Sequence, residues 1–336
     1  MNTEFCAQLS EHLKTSKKIV IFPHRNPDGD ALGSTLGWKH FLEALGHQCW
    51  VISPNEYPKF LKWLPGEEEI ILYSQQETLA QKCIAECDLI FTLDFNTLSR
   101  IAPIDDFLEN KDIPMIMIDH HESPADYPIL TFSDPQIGPT CVMVYEVMVQ
   151  LDPSKINARI GTCIYTGIMT DTGSFRFPST SERTHQIASE LIALGVNHTE
   201  IHQNIYDSYR TERLQLLGKT LNNLVQVNPL KAVYTSLSQA ELNACNFQKG
   251  DTEGFVNYGL SIEGIRLAVI MIENQQEQII KMSFRSKGDF DVNQFAREHF
   301  NGGGHKNAAG GMSSLSLEET IDRLHAILLT YKEALA

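Results

Sequence analysis

The chain has 336 residues, which is enough for about two domains that each bury a core of their own. Hydrophobic residues make up 42% and charged residues 21%, so disordered, collagen-like and coiled-coil chains are excluded. Asp and Glu number 42 against 27 Lys and Arg, and the resulting formal charge of −15 disfavours a protein that coats long nucleic acid through a basic surface.

The cellular compartment is indicated by the cysteines and by the first residues of the chain. The seven cysteines are odd in number and scattered through apolar runs, which favours reduced thiols in the cytosol. Cys83 and Cys87 have helical spacing, but no second Cys or His pair completes a zinc site, so we interpret them as packing residues. We find no secretion signal at the N-terminus and no run of about 18 apolar residues. We therefore expect a soluble cytoplasmic protein without a membrane segment.

Short apolar runs alternate with helical segments in the first 120 residues. The pattern predicts strands over 17–22, 48–53, 88–95 and 113–119. Leucines with helical spacing predict a helix after the first strand, and Gly46 is a natural end for it. Strands separated by helices indicate βαβ units and a parallel sheet covered on both faces.

Helical periodicity dominates from residue 140 to about residue 227, and strand patterns then return. Strands are predicted over 232–238, 265–274 and 277–286 and a last helix over 316–335, where Ser316 and Glu319 fit a capping box. The predicted fold class is α/β, with a parallel-sheet N-terminal domain and a smaller α/β C-terminal domain joined by a helical linker. The predicted boundaries are 1–190 for the first domain, 191–228 for the linker and 229–336 for the second domain.

A turn with metal-binding residue types follows the first predicted strand. Residues 24–30 read His-Arg-Asn-Pro-Asp-Gly-Asp, and their proline and glycine favour a tight turn that brings His24, Asp28 and Asp30 together. Ligands bind at the carboxyl ends of strands in open α/β sheets, and one imidazole with two carboxylates suits Mn²⁺ or Mg²⁺. The alternative is a solvated turn whose Asp residues cap the next helix.

Two later strands end in the same residue types. One predicted strand ends near Asp94, and another ends at Asp119 and is followed by His120 and His121. A lone Asp or His at a strand end is commonly a cap or a surface residue, but three such strand ends argue against coincidence. Asp171 ends a helical segment, where the helix dipole disfavours a carboxylate unless a cation compensates it.

These segments resemble a known family. HRNPDGDALGS, LDFNTLSR, IDHH and MTDTGSFRF, in this order, are similar to the four motifs of the DHH phosphoesterase superfamily. NGGGHKNAAGG resembles the glycine-rich motif of its DHH-associated C-terminal domain. The length and the missing oligonucleotide-binding insertion make the chain most similar to the nanoRNase/pAp phosphatase branch, and less similar to the larger RecJ-type exonucleases.

The resemblance implies a two-metal site, usually with Mn²⁺, and with Mg²⁺ or Co²⁺ as alternatives. The residues that it assigns to the ions are His24 and Asp28 for one ion, Asp30, His120 and Asp171 for the other, and Asp94 as the bridge. It further implies that Asp119 orients an imidazole. His121 would face the substrate, either as a phosphate ligand or as the proton donor to the leaving group. Two divalent ions about 3.5–4 Å apart can activate a water and neutralise the oxygens of an in-line displacement at phosphorus.

The C-terminal part contains candidate substrate-binding residues. Its glycine-rich segment offers backbone amides for a phosphate nest, although three glycines alone would also fit a flexible loop. Similar proteins place an Arg beside this segment to hold a terminal phosphate, and a guanidinium binds phosphate bidentately. Arg100 is a candidate for the scissile phosphate, or else a surface charge. The candidate substrate-binding residues are Arg100, Arg285, Lys287, Gly302, Gly303, Gly304 and His305.

The resemblance implies hydrolysis of short RNA oligonucleotides, including linear dinucleotides, to mononucleotides, and of 3′-phosphoadenosine 5′-phosphate to AMP. A cleft between two domains would favour short substrates, so we expect no long nucleic acid as a partner. Because no long apolar run is present, we expect no membrane partner either. The protein would be a monomer or a homodimer. One alternative is an inorganic pyrophosphatase or exopolyphosphatase, although the GGGH sequence argues against the pyrophosphatase. The other is a non-catalytic nucleotide sensor, which the complete set of ligand types argues against.

Overall fold

The computed structural model describes residues 3–108 and 111–336, and the chain divides into two compact units. The first unit ends at Ser208 and the second runs from Tyr209 to Ala336. This division lies inside the segment 191–228, which the sequence analysis assigns to a linker.

The described part of the first unit contains a six-stranded sheet. Its strands are β1 (Lys18–Phe22), β2 (Gln48–Ser53), β3 (Ile71–Leu72), β4 (Leu89–Leu93), β5 (Met115–Asp119) and β6 (Leu130–Ser133). The order across the sheet is β3-β2-β1-β4-β5-β6, and these neighbours pair in parallel. The predicted α/β class with a parallel N-terminal sheet is confirmed.

Helices cover both faces of this sheet. They are α1 (Thr3–His12), α2 (Gly29–Ala44), α3 (Tyr73–Glu86), α4 (Ile104–Leu108), α5 (Thr140–Leu151), α6 (Ala158–Asp171), α7 (Glu182–Ala193) and α8 (His198–Tyr206). Short 3₁₀ helices lie at Lys59–Leu61, Glu67–Glu69, Leu98–Ile101 and Pro153–Lys155. Ile19 and Ile21 of β1 pack in one core with α2, α5 and α6, whereas Val20 and Phe22 pack in a second core with α3 and α4.

The strand order reverses at β1. The chain moves from β1 to β2 and β3 on one side, and then returns to β4 on the other side of β1. Loops that leave such a pair of strands diverge, and they open a crevice at the carboxyl end of the sheet. The topology therefore brings the loop after β1 and the loop after β4 to one point.

The described part of the second unit contains a mixed six-stranded sheet. Its strands are β7 (Val225–Gln226), β8 (Ala232–Leu237), β9 (Leu267–Asn274), β10 (Ile279–Ser286), β11 (Gly303–His305) and β12 (Ala308–Ser313). The order is β11-β12-β10-β9-β8-β7, in which β8 and β9 are parallel and the other neighbours are antiparallel.

The helices of the second unit pack on two faces of this sheet. They are α9 (Thr211–Asn222), α10 (Gln239–Ala244), α11 (Val292–His299), α12 (Leu317–Thr330) and a 3₁₀ helix at Phe255–Ser261. Phe284 and Ala309 share a core with α11 and α12, and Val233 and Ala268 share another with α9 and α10. The predicted capping box of Ser316 and Glu319 begins α12.

The glycine-rich segment differs from the flexible loop that its composition suggests. Gly303–His305 forms β11, in which Gly303 pairs with Gly310 of β12. A Cβ atom on Gly302 would lie 2.0 Å from the carbonyl oxygen of Gly310. The glycines therefore allow a close backbone approach, and a strand of this kind lacks the apolar alternation by which strands are predicted.

One smaller feature concerns the end of α9. The predicted helix over 211–227 ends at Asn222, and the edge strand β7 follows it.

Six of the seven cysteines are buried, which agrees with a packing role. Within the described residues, we find no helix that is long and apolar enough to cross a membrane.

Candidate metal centre

The loop after β1 carries three of the predicted ligands. Asp28 is the N-cap of α2, and its Oδ1 accepts hydrogen bonds from the amides of Asp30 (3.0 Å) and Ala31 (3.1 Å). Asp30 in the first turn of α2 and His24 directly after β1 are both buried. A carboxylate has about four acceptor positions, so capping a helix leaves Asp28 able to bind a cation as well.

Neighbouring loops hold this segment on two sides. Asn26 has a left-handed φ of 55°, and its amide N–H donates to Oδ1 of Asn55 (2.8 Å). Nδ2 of Asn55 donates in return to Oδ1 of Asn26 (2.8 Å). The amide of Arg25 donates to the carbonyl oxygen of Arg100 (2.7 Å). Asn55 after β2 and the backbone of Arg100 after β4 thus fix the path of the ligand loop, and the sequence analysis did not identify Asn55.

Asp94 lies at the end of β4 between two histidines. Its φ of 67° is left-handed, a strained conformation for a non-glycine residue that is concentrated at functional sites. Oδ2 lies 3.6 Å from Nε2 of His24, and Oδ1 lies 3.3 Å from Nε2 of His120. The two oxygens of this buried carboxylate therefore face different ligand groups.

The end of β5 pairs a carboxylate with an imidazole. Nδ1 of His121 lies 2.7 Å from Oδ1 of Asp119, which is fully buried. An ionised carboxylate can only accept, so Nδ1 carries the proton in this pair. Oδ2 of Asp119 is buried and has no hydrogen-bond partner among the described residues.

Close packing of α2 against α6 brings Asp171 to the same place. A Cβ on Gly33 of α2 would lie 2.5 Å from the carbonyl oxygen of Cys163, and a Cβ on Gly167 of α6 would lie 3.0 Å from Oδ1 of Asp30. These glycines let the two helices approach closely. As a result, the last residue of α6, Asp171, lies beside the first turn of α2.

The N-terminus of α5 holds two of the carboxylates. The amides of Thr140 and Cys141 donate to Oδ2 (2.7 Å) and Oδ1 (2.9 Å) of Asp30. The hydroxyl of Thr140 donates to Oδ1 of Asp94 (2.9 Å). Partial positive charge at a helix N-terminus stabilises a carboxylate. No motif or spacing in the sequence points to Thr140, because a Thr before an apolar run is an ordinary helix start.

The ligand atoms form overlapping groups, in each of which all atoms lie within 4.8 Å of one another. We call His24, Asp28 and Asp94 the first cluster, and Asp30, His120 and Asp171 the second cluster. A further group contains Asp94, Asp119 and His121. The fold thus brings together every residue that the sequence analysis predicts as a metal ligand or as catalytic.

The two carboxylates of the second cluster repel one another; Asp30 is buried and Asp171 is partly buried. Burial, together with the charges of Asp94 and Asp171, raises the pKa of Asp30 well above its usual range. Burial also raises the pKa of Asp171 to about 6, where the charge of His120 opposes the shift and those of Asp28 and Asp94 reinforce it. Both residues are therefore costly to keep ionised without a nearby cation.

Neighbouring histidines have the opposite effect on Asp94 and lower the pKa of its carboxyl group. Burial raises the pKa of Asp94, but the hydrogen bond and charge of His120, with the charges of His121 and His24, outweigh it and leave that pKa below its ordinary value. Burial lowers the pKa of His120, but the hydrogen bond to Asp94 and the surrounding Asp charges raise it well above the ordinary value. The protonated form of the His120 imidazole is therefore favoured beside Asp94.

These residues fit a divalent cation. Buried carboxylates require a positive partner, and in the described part of the chain Asp30, Asp94 and Asp119 form ion pairs with histidines alone. Oδ2 of Asp119 still has no partner there. Imidazole and carboxylate donors together suit ions such as Mn²⁺ and Mg²⁺.

One row of the second sheet carries two of the predicted substrate contacts. His305 of β11 pairs with Ala308 of β12, which pairs with Arg285 of β10. Directly opposed residues of antiparallel strands point to the same face. Arg285 and His305 therefore share a face on either side of a small alanine, and both are half-buried.

Two backbone amides of the glycine-rich segment form hydrogen bonds within the protein. The N–H of Gly302 donates to the carbonyl oxygen of Ala296 (3.1 Å), and that of Gly304 donates to Oδ1 of Asn293 (2.9 Å). These two amides donate within the protein, and the phosphate nest stays a prediction.

The remaining two candidates are exposed cations. Nζ of Lys287 donates to the carbonyl oxygen of Leu260. Arg100 lies in the 3₁₀ helix after β4, and its backbone, rather than its guanidinium, contacts the ligand loop in the bonds described above.

Comparisons with known proteins agree with this arrangement. The family model of the DHH family N-terminal domain matches residues 18–168, and that of the DHHA1 domain matches residues 233–333. The chain is 33% identical to the bifunctional oligoribonuclease and PAP phosphatase NrnA of Thermus thermophilus, over 91% of this chain and 87% of that protein. It is 28% identical to the protein of that name from Bacillus subtilis, over 93% and 94% of the two chains.

A solved structure is also similar over nearly the whole length. The crystal structure of an exopolyphosphatase-related protein from Bacteroides fragilis matches with a TM-score of 0.94 and 38% identity, and covers 98% of this chain and 97% of that chain. The DHH match lies in the first unit and contains most of the ligand residues, and the DHHA1 match lies in the second. The chain belongs to the DHH family and carries a C-terminal DHHA1 domain.

Proposed function

We propose that this protein is a two-metal phosphoesterase that hydrolyses short RNA oligonucleotides to mononucleotides and 3′-phosphoadenosine 5′-phosphate to AMP. The observation that carries this proposal is the position of Asp94, whose two carboxylate oxygens face His24 and His120. A carboxylate that bridges two metal ions must direct one oxygen toward the ligands of each ion. The names of the two NrnA relatives support the choice of substrates.

The proposed cofactor is a pair of divalent ions, with Mn²⁺ as the first candidate and Mg²⁺ or Co²⁺ as alternatives. His24 and Asp28 of the first cluster would hold one ion, the second cluster would hold the other, and Asp94 would bridge them. When bound, such a pair activates a water and neutralises the attacking and leaving oxygens of a displacement at phosphorus. Two observations support a cation here: Oδ2 of Asp119 has no hydrogen-bond partner among the described residues, and the pKa of Asp30 is raised.

In the proposed reaction, His121 acts as an imidazolium: it donates its Nε2 proton to the leaving-group oxygen and keeps its Nδ1 proton. Asp119 would orient its ring, because the carboxylate accepts from Nδ1 at 2.7 Å. With Nδ1 engaged in that way, Nε2 is the nitrogen that would face the substrate. The ring that remains after donation carries its proton on Nδ1, and the hydrogen bond to Asp119 would hold its direction throughout.

We assign substrate anchoring to the second unit. Arg285 and His305 share one face of the sheet, and a guanidinium there would bind a terminal phosphate bidentately. Lys287 would add positive charge, and the lack of side chains at Gly302–Gly304 would let a phosphate approach the backbone. Arg100 in the first unit is proposed for the scissile phosphate. Anchoring at one end favours short substrates, and the net charge of −15 opposes long polymers.

The test is a Mn²⁺-dependent assay of the full chain with RNA of two to about ten nucleotides, 3′-phosphoadenosine 5′-phosphate and pyrophosphate. We expect mononucleotides from the RNA, AMP from the phosphorylated nucleotide, and rates that fall with RNA length. Asp94→Asn protein, prepared in the same way and expected to be inactive, is the control for a contaminating nuclease. A metal-loaded protein that binds the dinucleotide but leaves it intact would overturn the proposal and indicate a sensor.

A second candidate function is exopolyphosphatase activity. It is favoured by the similarity to the exopolyphosphatase-related protein of Bacteroides fragilis, which extends over 98% of this chain. The same metal pair could hydrolyse a phosphoanhydride, because both reactions are in-line displacements at phosphorus. Release of phosphate from polyphosphate, with no mononucleotide from RNA, would favour this alternative.

A further inference from the structure

Thr140, the first residue of α5, contacts two different carboxylates of the metal centre. Its amide N–H donates to Oδ2 of Asp30 (2.7 Å), and its hydroxyl donates to Oδ1 of Asp94 (2.9 Å). The residue is fully buried, so water does not compete for these bonds. Thr140 thereby links a ligand at the start of α2 to a ligand at the end of β4.

Both acceptor oxygens lie on the side of the second cluster. Oδ1 of Asp94 is 3.3 Å from Nε2 of His120, and Oδ2 of Asp30 is 4.0 Å from the same nitrogen. The other oxygen of Asp94 faces His24 in the first cluster. The two hydrogen bonds from Thr140 are therefore asymmetric with respect to the two clusters.

We propose that Thr140 is a positioning residue that presets the second cluster for its metal ion. This inference rests on the proposed two-metal function. The hydroxyl holds Oδ1 of Asp94, the oxygen that faces His120, on the side of the second cluster. The amide N–H of Thr140 holds Oδ2 of Asp30 near the same imidazole, 4.0 Å from Nε2 of His120. Mutually repelling carboxylates are thus held in place before the ion arrives, which lowers the cost of binding it.

The role of the hydroxyl can be separated from that of the backbone. Thr140→Val keeps the shape of the side chain and both amide donors of α5, and removes the bond to Asp94. Thr140→Ser keeps the hydroxyl and removes a methyl group. Thr166 of α6 provides a matched control, because it is equally buried and its hydroxyl donates to the carbonyl oxygen of Thr162 (2.8 Å).

The experiment is a Mn²⁺ titration of the metal-free full chain, in which electron paramagnetic resonance measures the free ion. We expect Thr140→Val to weaken one of two binding events about ten- to hundredfold and to leave the other near its wild-type affinity. Thr140→Ser should retain the wild-type titration, and Thr166→Val should not change it. The thermal unfolding of metal-free Thr140→Val should stay close to that of Thr166→Val. Activity of Thr140→Val should recover as Mn²⁺ is raised.

Single-cluster variants identify the affected ion. His24→Ala weakens the first cluster and leaves the second to be titrated, whereas Asp171→Asn does the reverse. We expect Thr140→Val to lower the remaining affinity strongly in the His24→Ala protein and only slightly in the Asp171→Asn protein. The opposite order, or equal effects, would overturn the assignment of Thr140 to the second cluster.

The remaining outcomes separate this inference from the function on which it rests. Wild-type affinities in Thr140→Val, with two ions bound, would overturn the positioning role and leave the two-metal function in place. A wild-type protein that binds no Mn²⁺ would overturn both. Loss of both binding events with a lowered unfolding temperature of the metal-free variant would show a role in folding, and would also overturn the inference.

Discussion

Nδ1 of His121 is 2.7 Å from Oδ1 of Asp119, a carboxylate that is fully buried at the end of β5. A carboxylate in this position accepts a hydrogen bond from the Nδ1–H group and keeps the proton on that nitrogen. An amide of the same size can also present its NH₂ group, which would favour the other tautomer. In the proposed reaction, the charge of Asp119 would therefore favour the imidazolium form of His121, which donates from Nε2.

The first prediction concerns this pair. Asp119→Asn should lower kcat about ten- to hundredfold with little change in KM, because a misoriented imidazole affects proton transfer more than binding. Steady-state kinetics with an RNA dinucleotide measures both constants. Asp134, which follows the neighbouring strand β6 and whose Oδ1 accepts from the amide of Gln136, provides the control variant Asp134→Asn. Wild-type kcat in Asp119→Asn would show that the pair has no part in the reaction.

The second prediction concerns the proposed bridge. Asp94→Ala should reduce hydrolysis to background and remove at least one bound ion, because both of its oxygens face ligand groups. Asp94→Asn is the companion variant, since Asn tolerates the left-handed φ of 67° better than Ala does. Mn²⁺ titration and the dinucleotide assay are the measurements. A near-normal kcat with Mn²⁺ in both variants would contradict the metal assignment.

The third prediction is that metal affinity falls in acid. Burial raises the pKa of Asp171 to about 6, so this carboxyl is protonated below that pH and ionised above it. An ion has to displace the proton, and the apparent affinity therefore rises with pH, by about tenfold per pH unit for each proton displaced. His120, whose pKa is also raised, adds to the effect in the same direction.

Calorimetric Mn²⁺ titrations on both sides of pH 6 test this prediction. Buffers with different ionisation enthalpies report the protons released per ion. In Asp171→Asn one releasable proton is removed, so the pH dependence should become shallower. An affinity that does not change with pH would mean that the carboxyl of Asp171 is not a ligand.

The sheet of the first unit and its ligand groups could be predicted from the sequence. Strands β1, β4 and β5 are buried on both faces, so each one is a continuous apolar run with a visible end. Polar residues directly after such a run lie at the carboxyl edge of the sheet, and for this reason Asp94 and Asp119 could be recognised without a structure.

The residues that hold the ligands could not be predicted. Thr140 contacts Asp94 across 46 positions of the chain, and Asn55 contacts Asn26 across 29 positions. No periodicity or local spacing reports such pairs, because they depend on how helices and loops pack. Strand β11 was missed for a different reason, since its pairing with β12 depends on missing side chains and not on apolar ones.

The fourth prediction concerns the proposed phosphate anchor. Arg285→Ala should raise KM about ten- to hundredfold, which is the value of hydrogen bonds to a charged group, and should leave Mn²⁺ binding unchanged. Arg285→Lys should recover only part of the loss, because an ammonium group cannot form the bidentate contact. Lys281 lies on the same strand and pairs with Glu277 (2.7 Å), so Lys281→Ala is the control for a lost surface charge. An unchanged KM for every substrate would remove Arg285 from the site.

The fifth prediction compares Gly302, which the fold is expected to require, with Gly303, which substrate binding is expected to require. A Cβ on Gly302 would lie 2.0 Å from the carbonyl oxygen of Gly310, whereas the nearest atom to a Cβ on Gly303 is Oδ1 of Asn293 at 3.5 Å. Gly302→Ala should therefore lower the free energy of unfolding by about 1–3 kcal/mol, and Gly303→Ala should change it by no more than about 0.5 kcal/mol.

Denaturant unfolding of the full chain and KM for a dinucleotide measure the two effects separately. If a phosphate approaches the backbone at β11, Gly303→Ala should raise KM without a loss of stability, since the added methyl group has room in the protein but not beside a bound ligand. Wild-type KM in a stable Gly303→Ala protein would contradict that approach. Wild-type stability in Gly302→Ala would instead show that β11 can move away from β12, and that the close backbone contact is not needed for the fold.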